Sequence, residues 1–130
     1  MSAATTYSDY AKAFQAWLEG ICTAYNGVLP SGITPSGTYI RYDSYIDKFG
    51  SAFIQPLRIY ATNSSNVGDY LKVLDDLDAA IGEGGYLLDA PTVKAFIRKG
   101  SPFFQNMMDE RENVKEGYVN LIITIYQKER

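Results

Sequence analysis

The chain contains no histidine. That removes the usual general base, the usual zinc ligand and every Ser-His or Cys-His nucleophile pair. One cysteine, Cys22, excludes an internal disulfide. Nowhere does the sequence approach the roughly 18 consecutive apolar residues of a membrane-spanning helix. Met1 to Tyr10 lacks the basic and apolar blocks of a signal peptide, so synthesis and folding in a cytoplasm are expected. The net charge is −3, without the clustered lysine and arginine of a dedicated nucleic-acid binder.

What is present is ordinary in bulk and unusual in detail. At 130 residues, 46% hydrophobic and 21% charged, the chain fits one globular domain spanning residues 1–130. Eleven tyrosines and six phenylalanines supply amphipathic surface, which suits interfaces and also half-buried strand positions.

Thr6-x-x-Asp9 reads as a capping box. Tyr10, Phe14, Trp17, Leu18, Ile21, Cys22 and Tyr25 then recur at helical spacing, with Asn26-Gly27 as the stop, so the first helix is expected over residues 7–26. Residues 27–37 hold two prolines and three glycines and read as a loop pinned by Val28, Leu29 and Ile33. Strands are expected at 38–46 and 51–62, joined as an antiparallel hairpin. Pro56 cannot donate to a central ladder, so the second strand should be at an edge or bulged there. Val67, Tyr70, Leu71, Leu74, Leu77 and Ile81 form the stripe of a second helix over 66–81, ended by Gly82. Residues 86–88 are a short apolar segment. Residues 92–98 and 114–126 alternate as strands, separated by a long polar loop over 100–113. The fold class that follows is α+β: two amphipathic helices packed on a mostly antiparallel sheet of four to five strands, in the order α-β-β-α-(β)-β-β.

Motifs of chemistry fail on spacing. Gly82-Glu83-Gly84-Gly85 follows a helix instead of opening one and lacks a phosphate-loop lysine, so it reads as a C-cap and turn. Asp75, Asp76 and Asp78 read as a solvated helical face. Asp109, Glu110 and Glu112 could fold around a hard cation, but a charged exposed loop is the plainer reading. Cys22 and Trp17 share the apolar helix face and read as core. No catalytic, cofactor or metal residue is assigned. The segment singled out is Ser101-Pro102-Phe103-Phe104-Gln105-Asn106-Met107-Met108, where four large apolar residues sit without periodicity. It reads either as a loop folded back on the core or as a contact surface for another chain.

The order of motifs carries a resemblance. An amphipathic helix leads to Leu29-Pro30-Ser31-Gly32-Ile33-Thr34-Pro35-Ser36-Gly37-Thr38-Tyr39-Ile40. A Pro-bearing strand ending in Ile59-Tyr60 follows, then Ile81-Gly82-Glu83-Gly84-Gly85, Gly100-Ser101-Pro102 and a final Gly117-Tyr118-Val119-Asn120-Leu121 strand. This resembles the small tail terminator or minor capsid-type proteins of tailed phages with long non-contractile tails. The resemblance implies a virion protein at the tail–neck junction. It implies a six-membered ring of identical subunits that caps the tail tube, meets a neck, stopper or connector protein, and lets DNA through its lumen without specific binding. No functional residue transfers with it. The contact residues expected on this reading are Leu29, Pro30, Ile33 and Pro35, then Glu83 and Tyr86, then Ser101, Pro102, Phe103, Phe104, Gln105, Met107 and Met108. A head-completion or stopper protein is the neighbouring alternative. A small adaptor or ligand-binding domain is a different one, and a pocketless structure would remove it. An enzyme without histidine would reveal itself by metal-dependent hydrolysis lost on Asp109→Ala.

Overall fold

A computed structural model describes residues 6–27, 37–44, 46, 48–61, 67–107 and 115–128. Two helices lie on a single curled, half-barrel sheet, and about half of the described residues are strand. In chain order the elements are α1 (Thr6–Glu19), β1 (Ala24–Asn26), β2 (Thr38–Tyr42), β3 (Phe53–Ala61), α2 (Val67–Ile81), β4 (Tyr86–Asp89), β5 (Val93–Met107) and β6 (Lys115–Gln127). The sheet order is β1-β2-β3-β6-β5-β4. All neighbours are antiparallel except β1 and β2, which are parallel.

This corrects the expected four- to five-stranded, mostly antiparallel sheet and its element order: there are six strands, and the sheet is mixed. The first error lies in α1, expected to run to residue 26. The helix stops at Glu19; Gly20 still bonds back to Ala16, while Ile21 and Cys22 both bond back to Leu18. Ala24–Asn26 then leave the helix to pair with Ile40–Tyr42. Ile21 and Cys22 still pack against the core, so the apolar spacing was real although the helical conformation was not. The pairing partner lies sixteen residues on, where a local pattern has no reach. Asn26-Gly27 ends this strand instead of a helix, with Gly27 at φ +84° and its N–H bonded to Tyr42 O.

The second error is the polar loop expected over residues 100–113. Gly100–Met107 is the second half of β5. The register slips there: Lys99 faces Leu121 and Phe104 faces Val119, so Gly100–Phe103 bulge opposite Asn120. The bulge includes a cis Ser101–Pro102 bond. A bulge breaks the two-residue alternation, which is why the segment does not read as strand.

The other boundaries lie within two residues of expectation, except that β2 ends at Tyr42 and not at residue 46. Pro56 shows a local subtlety. β3 is internal, between β2 and β6. Yet β2 covers only residues 58–61, so Pro56 has β6 on one side and no strand on the other among the described residues. It occupies a locally open edge, where its missing N–H costs no ladder bond.

Alternation along the strands sorts the sheet into two faces. Phe53, Leu57, Ile59, Val93, Ala95, Ile97, Val119, Leu121, Ile123 and Ile125 point to one side and are buried. They form one cluster with Tyr10, Phe14 and Leu18 of α1 and Val73, Leu77 and Ile81 of α2. Both helices therefore cover the same face. Thr92 Oγ1 donates to Asp9 Oδ2 at 2.7 Å, tying the start of α1 to the start of β5. Lys99 pairs with Asp78, tying α2 to the bulge.

Candidate assembly surface

The face opposite the helices carries no covering element among the described residues. Alternation places Ile54, Pro56 and Arg58 of β3 there, with Tyr118, Asn120, Ile122 and Tyr126 of β6, Lys94, Phe96 and Arg98 of β5, and Leu87 of β4. Three large hydrophobic residues on this face stand well out in solvent: Ile54 at 59%, Leu87 at 51% and Tyr126 at 50%. Ile54 lies directly across from Ile122, and Phe96 from Leu87, so the apolar positions run across strands rather than standing singly.

One end of this face is an aromatic and cationic platform. Tyr25 meets Tyr39 edge-on at 5.9 Å, and Tyr39 stacks on Tyr60 at 5.2 Å. In the next row Arg41 faces Arg58, which faces Tyr118. The Arg58 guanidinium lies 5.5 Å from the Tyr118 ring centre. It also donates to Tyr60, whose hydroxyl reaches Glu116; burial, then this bond to Glu116, pushes the Tyr60 phenol up. Arg41 gives Nε and Nη2 to Gly27 O at 3.4 and 3.3 Å. Beside the arginines opens a cleft of about 400 Å³, lined by Gly27, Arg41, Tyr42, Asp43, Ser44, Ile54, Pro56 and Arg58. Sequence reasoning passed over it. Arg41 and Arg58 are seventeen residues apart, and only the β2–β3 register makes them neighbours.

The residues expected to make contacts distribute unevenly. Ser101, Pro102 and Gln105 are exposed on β5. Phe103 and Phe104 are half-buried and pack against the core, and Lys99 Nζ lies 5.8 Å from the Phe103 ring centre. The phenylalanines are thus tucked in and their neighbours out, on a strand and not on the expected loop. Asn120 Nδ2 donates to Pro102 O at 3.1 Å, pinning the bulge to β6. Met107 closes β5 opposite Glu116. Beyond Ile97 the outer edge of β5 has no paired strand among the described residues, because β4 covers only residues 94–97. Glu83 is exposed in the turn after α2, whereas Tyr86 stacks on Trp17 at 5.6 Å and belongs mainly to the packing of α1. Leu29, Pro30, Ile33, Pro35 and Met108 lie outside the described residues, as do Asp109, Glu110 and Glu112.

Titratable chemistry on the helix side is subdued. Burial, then Glu19, pushes the Cys22 thiol up to about 11, and its Sγ donates to Thr38 O at 3.4 Å. A thiol held protonated is a poor nucleophile. Asp75, Asp76 and Asp78 are not gathered into a metal cluster, and no group of three metal-ligating side chains occurs among the described residues. Lys72 pairs with Asp76 at 2.9 Å, and Lys128 holds the Asp89 carboxyl below its ordinary range at 2.8 Å.

No protein-family model and no curated protein matches the chain.

Proposed function

We propose that the protein is a structural assembly subunit of the tail-terminator kind, forming a ring of identical copies that caps a tail tube and meets a neck protein. The observation that carries this reading is the uncovered sheet face with its cross-strand apolar and aromatic residues. Large exposed apolar patches rimmed by polar groups are what protein interfaces use. The order of sequence motifs supports the terminator assignment within that class. A ring of identical subunits needs two different complementary patches on each copy, and a domain with helices on one side and an open sheet on the other offers two chemically distinct sides.

The test is the oligomeric state and position of the protein. Light scattering of the purified chain and electron microscopy of intact particles are expected to show a closed ring at the junction of tail tube and neck. Only monomer in solution, with no such ring in particles, would sink the proposal. A ring one layer nearer the capsid would assign the stopper role instead.

The cleft beside Arg41 and Arg58 favours a second reading, a small adaptor or ligand-binding domain. Its volume lies within the range of small-molecule sites. On that reading the chain is a monomer, and a carboxylate or phosphate ligand raises its melting temperature.

A further inference from the structure

We propose that the Arg41–Arg58 cleft receives the outer face of α2 from a second copy of this chain, with Asp75 supplying the anion and Leu71 the apolar contact. The inference rests on the assembly reading above and names the contact that would build the ring.

The argument starts from the register. Arg41 and Arg58 are directly opposed on adjacent antiparallel strands. Such positions hold Cβ atoms about 4.5–5.5 Å apart, and like charges there are destabilising. Glu116 partly answers Arg58 through Tyr60, but neither arginine forms an ion pair among the described residues. Arg41 spends two of its donors on one carbonyl oxygen, Gly27 O. A guanidinium has five N–H groups, so donors remain for an incoming acid. The same cleft has an apolar wall from Ile54 and Pro56, and Asp43 is the one acid in its lining against the two arginines. Its complement is therefore a carboxylate beside an aliphatic side chain. Arginine matches the planar, forked geometry of a carboxylate.

That combination occurs on this chain's own surface. Leu71 is 43% exposed on α2, and Asp75 follows four residues later on the same helical side, also exposed. Asp76 and Asp78 are already paired with Lys72 and Lys99, while Asp75 has no ion-pair partner among the described residues. The knob lies on the helix layer and the socket on the opposite sheet face. One copy can thus use both at once, which is the heterologous geometry that generates rings.

The test compares self-association of the full chain as wild type, Arg58→Glu, Asp75→Arg and the double variant, each checked for folding by a melting curve. Each single reversal is expected to weaken association on the order of tenfold or more, and the double variant to recover it. Arg58→Gln, which adds no acid beside Glu116, should weaken association less than Arg58→Glu. Added salt should weaken the wild-type assembly. A wild type that assembles while the folded single variants assemble equally well overturns this contact and leaves the assembly reading standing. So does a folded double variant that fails to recover. A wild type that is monomeric everywhere overturns both. If Arg58→Glu leaves assembly unchanged but abolishes binding of a short DNA duplex, the cleft belongs to phosphate and the proposal is wrong.

Discussion

At the scale of single residues, Tyr10 is the side chain with the clearest unmet need. Its ring is buried in the core and stacks on Phe14 at 5.7 Å, yet its hydroxyl has no hydrogen-bond partner among the described residues. A buried, unsatisfied polar group costs about 1–3 kcal/mol. Tyr10→Phe keeps the ring and removes the group, so a gain of about 1 kcal/mol is expected, read as a higher midpoint in chemical denaturation. A loss of stability would show that the hydroxyl has a partner. Gly85 makes the opposite case. It sits at φ +92°, and a Cβ there would lie 2.7 Å from Phe96 Cζ and 3.0 Å from Ile97 O. Left-handed strain of about 1–2 kcal/mol adds to overpacking of about 1–3 kcal/mol, so Gly85→Ala should cost roughly 2–5 kcal/mol. Gly50, at φ +83° with nothing within 4 Å of the added carbon, is the control and should lose only the strain. Equal losses at the two sites in a denaturation series would refute the packing part of the argument.

At the scale of elements, the bulged half of β5 is what local patterns conceal. Gly100 approaches β6 so closely that a Cβ would lie 2.7 Å from Asn120 O. That approach lets four residues of β5 oppose one of β6. The proline and glycine look like breakers in sequence, and in the fold they shape a strand that continues to Met107. The same bulge with Pro102 twists an outer edge that beyond Ile97 has no paired strand among the described residues, one of the ways proteins keep an edge from recruiting stray strands. β1 was illegible for another reason. Three residues at an edge carry too little alternation to register, and their partner is set by tertiary contact. By contrast α2, β3 and β6 were readable because each is long, periodic and flat against the core.

At the scale of the whole molecule, stability at alkaline pH is expected to depend on three weak acids on the helix side, the buried Tyr10 and Tyr42 and the half-buried Cys22. Burial pushes the Tyr10 phenol far up, the Tyr42 phenol up to about 12 and the Cys22 thiol up to about 11, with Tyr42 and then Glu19 adding to the effect in turn. Tyr42 donates to Gln15 Oε1, which favours its protonated form in the fold. Each group holds its proton more tightly folded than unfolded. Its contribution is whole below the unfolded value, near 9 for the thiol and 10 for the phenols, and is lost as pH rises above it. Stability should therefore fall steeply above about pH 9–10, with Tyr10 alone contributing about 1.4 kcal/mol per pH unit. Tyr10→Phe should flatten that slope. A denaturation series from neutral to alkaline pH checks both, and an unchanged slope in the variant would remove Tyr10 from the explanation.

The sequence by itself determined the two amphipathic helices, the alternation of the long strands, the turn after α2 and the absence of histidine chemistry. All of these depend on the identity of residues within a few positions of one another. Tertiary structure alone decided that the sheet has six strands and mixed direction, that β1 breaks off from α1, and that Gly100–Met107 is strand. It also decided that both helices share one face and that no element among the described residues covers the other. Above all it brought Arg41 against Arg58 beside Ile54. The physical reason is common to them: strand pairing joins positions far apart in the chain, and no periodicity within a segment records which segment lies beside it.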